Sequence, residues 1–270
     1  MLITDEVLSD DRRREAKGVR NMKIGVTERG DAGIDFSWKD KSHTVDGMIL
    51  ITKAINNVFL RHLFSLYETG YTNIIVHATC TGYGSTAYEP NVPPPKTQLH
   101  NLNQMVKYGF PVENCVLRID PIIPTKQGIE VAKAVIDTAL DKGILPNMRV
   151  RISVLDEYRH VKDRMLCMGM KSVYPYGQFT ASKDQFELVR RELSEYDIKF
   201  ECCAEPFLQS GHFVHVGCVS EKDLKIFGLE TADDRINPQN RRGCLCIANK
   251  TELLTNRARC PLGCIYCYWK

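Results

Sequence analysis

Apolar strands and amphipathic helices alternate along most of this chain, and that alternation limits the folds open to it. Residues 46–53 contain a continuous apolar run, typical of a strand buried on both faces. Residues 55–67 then repeat apolar side chains at helical spacing, and Gly70 provides a natural helix end. We predict strands over residues 23–27, 46–53, 73–79, 115–120, 148–155 and 198–205, and helices over residues 55–70, 97–108, 128–142 and 183–196. Such repeats favour parallel strands with right-handed crossovers, so we expect an α/β barrel or open sheet.

Two segments depart from this regular pattern. Residues 80–95 are rich in Gly, Tyr and Pro and too long for a simple connection, so we expect them to cover a site. Ser182 and Gln185 form a capping box that begins the helix at 183–196. From about residue 206 the alternation is lost. We expect an irregular tail there, with one short helix capped at Ser220.

Composition narrows the class of protein. Hydrophobic residues make up 43% of the 270 residues, which is enough for a sizeable core. The net charge of +3, from 36 basic and 33 acidic residues, neither argues for nucleic-acid binding nor excludes it. We find no secretory signal and no apolar run of membrane-spanning length, so we expect a cytoplasmic protein. Eleven cysteines in that reducing compartment argue against disulfides and for metal or redox chemistry.

The most specific motif is Cys260-Pro-Leu-Gly-Cys264-Ile-Tyr266-Cys267, near the C-terminus. Three thiolates at this spacing can hold three irons of a [4Fe–4S] cluster. The fourth iron then has no protein ligand, and a small molecule with an amine and a carboxylate can chelate it. An alternative is a four-thiolate structural zinc site, in which Cys244-x-Cys246 pairs with this motif.

This motif resembles that of the radical S-adenosylmethionine (radical SAM) enzymes. The chain is similar to a family within that superfamily that is related to spore photoproduct lyase, whose members end in a Cys-Pro-x-Gly-Cys-x-Tyr-Cys-Tyr-like tail. Further landmarks of this resemblance are Thr52-Lys53, Glu89-Pro90, Arg118-Ile-Asp120-Pro121, Leu155-Asp156 and Cys203-Ala-Glu205. The resemblance implies that a [4Fe–4S] cluster reduces S-adenosylmethionine to methionine and a 5′-deoxyadenosyl radical, which abstracts hydrogen from a substrate.

The resemblance also implies a fold, a partial (β/α)6-type TIM barrel with a parallel sheet. The superfamily's cysteine motif normally follows the first barrel strand, whereas here it stands last, so the barrel is expected to be circularly permuted. Three parts are expected: a partial barrel over residues 1–205, an auxiliary-cluster region over residues 206–259, and a catalytic cluster loop over residues 260–270 that packs back on the barrel.

For the cofactor, the resemblance implies polar groups at strand ends that neutralise the amine and carboxylate of S-adenosylmethionine. The candidate cofactor-binding residues are Thr27, Asp31, Lys53, Arg118, Asp120 and Tyr266. Lys53 suits the methionine carboxylate as a point charge, while Arg118 and Asp120 suit ribose or a carboxylate. Thr27 and Asp31 fit loosely the Ser-x-x-x-Asp stretch of spore photoproduct lyase. The alternative for the charged residues is a surface salt bridge.

Four more cysteines match cysteines of the same family, namely Cys203, Cys218, Cys244 and Cys246. Four thiolates complete a fully ligated second [4Fe–4S] cluster, which would relay electrons or brace the tail. The alternative is that they are buried free thiols, which pack as small hydrophobic side chains.

The expected reaction follows from one difference between this chain and spore photoproduct lyase. Spore photoproduct lyase carries a hydrogen-donor cysteine where this chain has Glu28 or Arg29, and residues 1–79 contain no cysteine. Thymine-dimer repair is therefore not expected. We expect hydrogen abstraction on a pyrimidine or modified thymine base in DNA, leading to isomerisation or another base modification, with an electron donor such as flavodoxin or ferredoxin. The alternatives are a zinc- or cluster-bearing nucleic-acid-binding module without turnover, and a radical SAM enzyme acting on a peptide or small metabolite.

Overall fold

The computed structural model describes residues 23–229, 244–246, 249–255 and 260–269. Within these ranges, eight strands form one sheet. The strands are β1 (Lys23–Val26), β2 (Gly47–Thr52), β3 (Ile74–Thr79), β4 (Cys115–Ile122), β5 (Arg149–Val154), β6 (Phe200–Cys203), β7 (Phe213–Val216) and β8 (Asn249–Glu252). The α-helices are α1 (Ser37–Asp40), α2 (Asn57–Glu68), α3 (Pro95–Lys107), α4 (Lys126–Asp141), α5 (Arg159–Cys167), α6 (Lys183–Leu193) and α7 (Glu221–Ile226).

The strand order is β7-β6-β5-β4-β3-β2-β1-β8, and each neighbouring pair runs parallel. The predicted α/β class with a parallel sheet is confirmed. Strands β1 to β6 correspond to the strands predicted from apolar runs. None of the helices in the described ranges is long and apolar enough to cross a membrane.

Two expectations about the strands are wrong. The alternation does not stop near residue 206, because β7, α7 and β8 follow, and both strands join the main sheet. Strand β4 does not end before Pro121 but continues to Ile122, with a register shift between Ile119 and Ile122. Proline lacks an N–H donor, so an irregular point in the ladder is where a strand accommodates it. The capping boxes at Ser182 and Ser220 are both present.

The two faces of the sheet are covered differently, because side chains alternate along each strand. On one face, Leu50 and Val76 belong to the main core, together with apolar side chains of α1 to α4 and α6. On the other face, Ile49 and Ile75 pack against Leu224 of α7 in a smaller core. Full burial of one such side chain stabilises the fold by about 1.5–3 kcal/mol.

An ionic network lies on the same face as α7. The Nε atom of Arg149 lies 2.8 Å from Glu201, and its Nη1 atom lies 2.7 Å from Asp223. Arg151 donates to Glu201 at 2.7 Å. All four side chains are at least nine-tenths buried, and breaking one such pair typically costs about 3–5 kcal/mol. The network ties β5 and β6 to α7, and so fixes Cys203 at the end of β6.

Candidate functional site

A cavity of about 980 Å³ opens where the carboxyl ends of the parallel strands meet. Ligands of parallel α/β sheets usually bind at this edge. Nearly all the residues singled out from the sequence line the cavity. They are Thr27, Asp31, Lys53, Arg118, Asp120, Tyr266, Cys203, Cys218, Cys244, Cys260, Cys264 and Cys267. Cys246, the remaining candidate, lies fully buried beside them.

The terminal loop, residues 260–269, is held by its backbone. Arg164 of α5 donates from Nε to the carbonyl of Ile265 at 3.0 Å and from Nη1 to that of Trp269 at 3.1 Å, and its Nη2 bonds the carbonyl of Cys267. Asn91 donates to the Pro261 carbonyl at 2.8 Å. The loop is therefore fixed without using its cysteine side chains. The sequence did not reveal Arg164, because its partners are carbonyl groups that any residue provides.

The three cysteines of this loop are only partly buried and face the cavity. Burial raises the pKa of Cys260, and it raises the pKa of Cys264 to about 12. Burial thus favours the neutral thiols, and a positively charged partner is needed to hold thiolates here. Three thiols on one fixed loop beside a cavity are a donor set that suits an iron–sulfur cluster with one open iron.

The segment between β3 and α3 was expected to cover a site, and it packs behind the terminal loop. The Ile265 amide donates to the carbonyl of Tyr88 at 2.9 Å. Val92 packs against Leu262 in a small apolar cluster, and Tyr83 belongs to a second one beneath the loop. The terminal loop therefore packs against this segment.

A buried network joins these two segments through Glu89, which is fully buried. Its Oε1 lies 2.7 Å from Nζ of Lys53 and accepts a hydrogen bond from the hydroxyl of Tyr266. Thr81 donates to its Oε2 at 2.8 Å. Burial alone would lower the pKa of Lys53, but the Glu89 carboxylate outweighs it and raises that pKa. Lys53 is therefore a charged ammonium with a protein partner already beside it.

Glu89 was recognised in the sequence only as a landmark, not as a site residue. Lys53 and Tyr266 lie far from it along the chain, so no local pattern connects the three. Burial first, and then Glu89, raises the pKa of Tyr266 well above its ordinary value, so its hydroxyl stays a donor. Through Lys53 and Tyr266, the network forms part of the cavity wall together with Cys264.

Thr27 and Asp31 tie β1 to β2. The Asp31 carboxylate accepts from the Gly33 amide at 2.8 Å, and from the Thr52 hydroxyl and the Lys53 amide at 2.6 Å each. The Ile51 amide donates to Thr27 Oγ1 at 2.7 Å. Both side chains border the cavity, but their polar atoms bond the protein itself.

The second cysteine set is brought together, and we call it the four-cysteine site (Cys203, Cys218, Cys244 and Cys246). The sulfurs of Cys203 and Cys218 are 3.0 Å apart, and those of Cys244 and Cys246 are 3.1 Å apart. The Cys218 amide donates to Cys246 Sγ at 3.1 Å, which joins the two pairs. Hydrogen bonds from the other three thiols lower the pKa of Cys218 well below its ordinary value.

This arrangement bears on the zinc alternative. Cys244 and Cys246 contact Cys203 and Cys218, so the expected pairing of Cys244 and Cys246 with the terminal motif is not the one formed. Tetrahedral zinc, with bonds of about 2.3 Å, would keep its sulfurs about 3.8 Å apart. The sulfurs here are closer, so a zinc ion, like a cluster, would have to spread them. In the described ranges no three His, Cys, Asp or Glu side chains already surround an ion-sized centre.

Arg118 and Asp120 line the cavity together with members of both cysteine sets. Arg118 Nη2 bonds the Asp120 carboxylate in a close ion pair. Burial opposes the charge on Arg118, but Asp120, and then Cys218 and Cys203, raise its pKa. Its Nε atom is buried and has no hydrogen-bond partner among the residues that the structure describes.

Glu28 and Arg29 lie at the rim of the cavity with the end of the terminal loop. The Trp269 indole donates to the Glu28 carbonyl at 2.7 Å, and the Arg29 guanidinium lies 4.9 Å from the Trp269 ring centre. Lys250 pairs with the Glu28 carboxylate at 2.8 Å. These contacts hold the last described residues against β1.

Comparison with known proteins identifies one family. The family model described as "Domain of unknown function (DUF1848)" matches residues 35–269 of the chain. The match spans strands β2 to β8, both cysteine sets and most of the cavity lining. No curated protein matches the chain. The chain belongs to the DUF1848 family.

Proposed function

We propose that this member of the DUF1848 family is a radical SAM enzyme whose [4Fe–4S] cluster is held by Cys260, Cys264 and Cys267. One observation carries the proposal: the three thiols face a cavity of about 980 Å³ at the carboxyl ends of the strands, on a loop fixed by its backbone. Such a cluster supplies one-electron reductive cleavage of the sulfonium of S-adenosylmethionine. The chain's own residues bind, orient and enclose the reactants.

The cavity volume supports two reactants. Small-molecule sites usually measure about 300–1,000 Å³, so this one lies at the upper end of that range. It has room for S-adenosylmethionine and part of a second molecule. The Lys53 ammonium lines the cavity and offers a positive charge to the methionine carboxylate, while Glu89 holds it from behind.

We propose a circularly permuted partial barrel as the finer description of the fold. The main layer of helices lies on one face of the sheet, as in a barrel, and the cavity lies towards the other. Strand β8 pairs with β1 and leads into the terminal loop, so it stands where the first barrel strand would stand. The rest of the barrel then begins with β1.

A second [4Fe–4S] cluster at the four-cysteine site is part of the proposal. Four sulfurs within contact of one another give the full thiolate set of such a cluster. Their contacts are those of thiols, so a cluster would spread them. An electron donor such as flavodoxin or ferredoxin would supply the reducing equivalents.

For the substrate, we propose a pyrimidine or modified thymine base in nucleic acid, with isomerisation or base modification as the outcome. The rings of Tyr158, Tyr268 and Trp269 line the cavity and offer faces on which a base can stack. The closest test is binding of single-stranded DNA and RNA across a salt series. Steep salt dependence supports a nucleic acid, and no binding would favour a peptide or small metabolite.

The experiment that tests the catalytic proposal is anaerobic reconstitution with iron and sulfide, followed by assays for iron and for 5′-deoxyadenosine under reductant. We expect about eight irons per chain, falling to about four with loss of cleavage in Cys264→Ala. Cys167→Ala is the matched control, since Cys167 is exposed on α5 and should leave both values unchanged. Bound zinc without iron, and no 5′-deoxyadenosine, would refute the proposal and favour a binding module.

A further inference from the structure

Arg118 has an unusual environment for a buried arginine. Its side chain is 10% exposed, and Asp120 takes its Nη2 group. Its Nε–H group is buried and has no acceptor among the described residues, which is energetically unfavourable. Arg149 and Arg151, on the neighbouring strand, have their Nε groups paired with Glu201. Within the described part of the chain, only Arg118 of these three lacks a partner for that atom.

Sulfur atoms are candidate acceptors for this group, because Cys203 and Cys218 line the same cavity as Arg118. Arg118 is in register with Arg151 of β5, and Arg151 is in register with Glu201 of β6. Cys203 lies two residues beyond Glu201, on the same face of the sheet and one row nearer the cavity. Cys203 and Cys218 both interact electrostatically with Arg118.

In this structure the sulfurs of the four-cysteine site contact one another, and none of the described sulfurs accepts a hydrogen bond from the Nε group. A thiol sulfur is a weak acceptor, whereas a metal-bound thiolate is anionic and accepts strong, charge-assisted hydrogen bonds. The alternative acceptor is a ligand in the cavity, as expected from the sequence for ribose or a carboxylate. The Nε atom has almost no accessible surface, so such a ligand would not reach it without movement of the side chain.

We infer that Arg118 is a positioning residue of the four-cysteine site, whose Nε–H donates to the sulfur of Cys203 or Cys218 when that sulfur is a metal thiolate. Asp120 holds the guanidinium in place for this bond. The inference rests on the part of the proposed function that assigns a metal group to the four-cysteine site. Hydrogen bonds to ligand sulfurs tune both the affinity and the reduction potential of such groups.

The test uses cobalt(II) alone, so it needs neither S-adenosylmethionine nor catalysis. The full chain with Cys260, Cys264 and Cys267 changed to alanine leaves the four-cysteine site as the thiol cluster under study. Cobalt(II) is titrated under competition with a chelator and followed by thiolate-to-metal charge-transfer absorbance. We expect Arg118→Met in this background to lower the affinity about tenfold or more and to shift the charge-transfer band. Arg118→Lys, which keeps a charged donor, should restore part of the affinity.

Two controls separate this role from simple loss of charge or of folding. Lys41→Met removes another cationic side chain of the cavity lining and should leave the affinity within twofold. Thermal melting of the metal-free proteins shows whether each variant folds. An affinity for Arg118→Met within twofold of the parent would overturn the inference. A parent protein without charge-transfer absorbance would overturn it too, while cleavage of S-adenosylmethionine by the unmodified chain would leave the catalytic proposal intact.

Discussion

The two cysteine sets border one cavity, but the chain holds them in different ways. The terminal loop is fixed through its carbonyl groups by Arg164, and its thiols are half-buried and do not depend on each other for position. The four-cysteine site is held in the opposite way, by contacts among its own side chains. Its sulfurs contact one another at 3.0–3.1 Å, and Cys203 extends from a strand that a buried ionic network fixes.

The difference teaches that geometry can be imposed through the backbone or through the side chains themselves. A loop that is held by hydrogen bonds from Arg164 to its carbonyl groups leaves its thiols free to bind a cluster in which one iron has no protein ligand. We call these hydrogen bonds the clamp. A set of thiols packed against one another is stable before metal arrives, and metal must spread it. Variants that loosen the clamp should therefore affect the terminal loop and spare the four-cysteine site.

The largest effect is expected from Glu89→Gln. It leaves the Lys53 ammonium, whose side chain is only 16% exposed, without its counter-charge, and breaking such a pair costs up to about 3–5 kcal/mol. Urea denaturation at pH 7 measures this loss. Because the folded-state pKa of Lys53 is raised above 10.5, its contribution is complete below that pH and disappears as the pH rises through the raised value. The gap between the two proteins should therefore shrink at strongly alkaline pH.

Glu130→Gln is the matched control for this variant. Its carboxylate is 66% exposed and lies 3.7 Å from Lys133, so we expect a change below about 0.5 kcal/mol. After reconstitution, Glu89→Gln should lose iron from the terminal loop alone. Equal loss of metal from the four-cysteine site would break the comparison between the two regions.

An intermediate effect is expected from Arg164→Met, which removes the three hydrogen bonds to the terminal-loop carbonyls. At about 1 kcal/mol each, we expect a loss of about 2–3 kcal/mol and a melting temperature lower by roughly 5–10 °C. Arg159→Met, at an exposed position on the same helix, should change little. If the Arg164→Met variant has the same melting temperature as the native protein and keeps its full iron content, the clamp is not what fixes the loop.

The smallest effect is expected from Arg29→Ala, which removes the guanidinium 4.9 Å from the Trp269 ring. Such cation–π contacts contribute about 0.5–1 kcal/mol at exposed positions. Thermal melting should show a shift of a few degrees at most, and Arg29→Lys should recover part of it. A loss larger than that of Arg164→Met would mean that the rim, rather than the clamp, anchors the loop.

Much of the fold could be predicted because β1 to β6 and their helices carry continuous apolar runs or helical spacing. Strand β8 could not, since Asn249-Lys-Thr-Glu252 contains no apolar residue and, among the described strands, pairs only with β1. The continuation of β4 past Pro121 depends on a bulge, which tertiary context decides.

The residues of the site also divide into those that could be predicted from the sequence and those that could not. The spacing of Cys260, Cys264 and Cys267 is a local property, so that set could be proposed from the sequence, whereas the second set was expected from the family resemblance. The structure brings each set near the cavity. Glu89 and Arg164 could not be assigned, because their partners lie far along the chain or are carbonyl groups. Lys53 could be predicted to line the site, but its ion pair with Glu89 could not.

The ladder between β1 and β8 has a consequence for how the molecule forms and opens. It joins Lys23 to Asn249, nearly the two ends of the described chain, so its loop-closure entropy is among the largest in the sheet. We expect β1 and β8 to pair last during folding and to separate first in the native state. Amide hydrogen exchange should thus be faster in β8 than in β3. Opening of that edge would release the cysteine loop while the rest of the sheet stayed folded, which gives an assembling cofactor a way in.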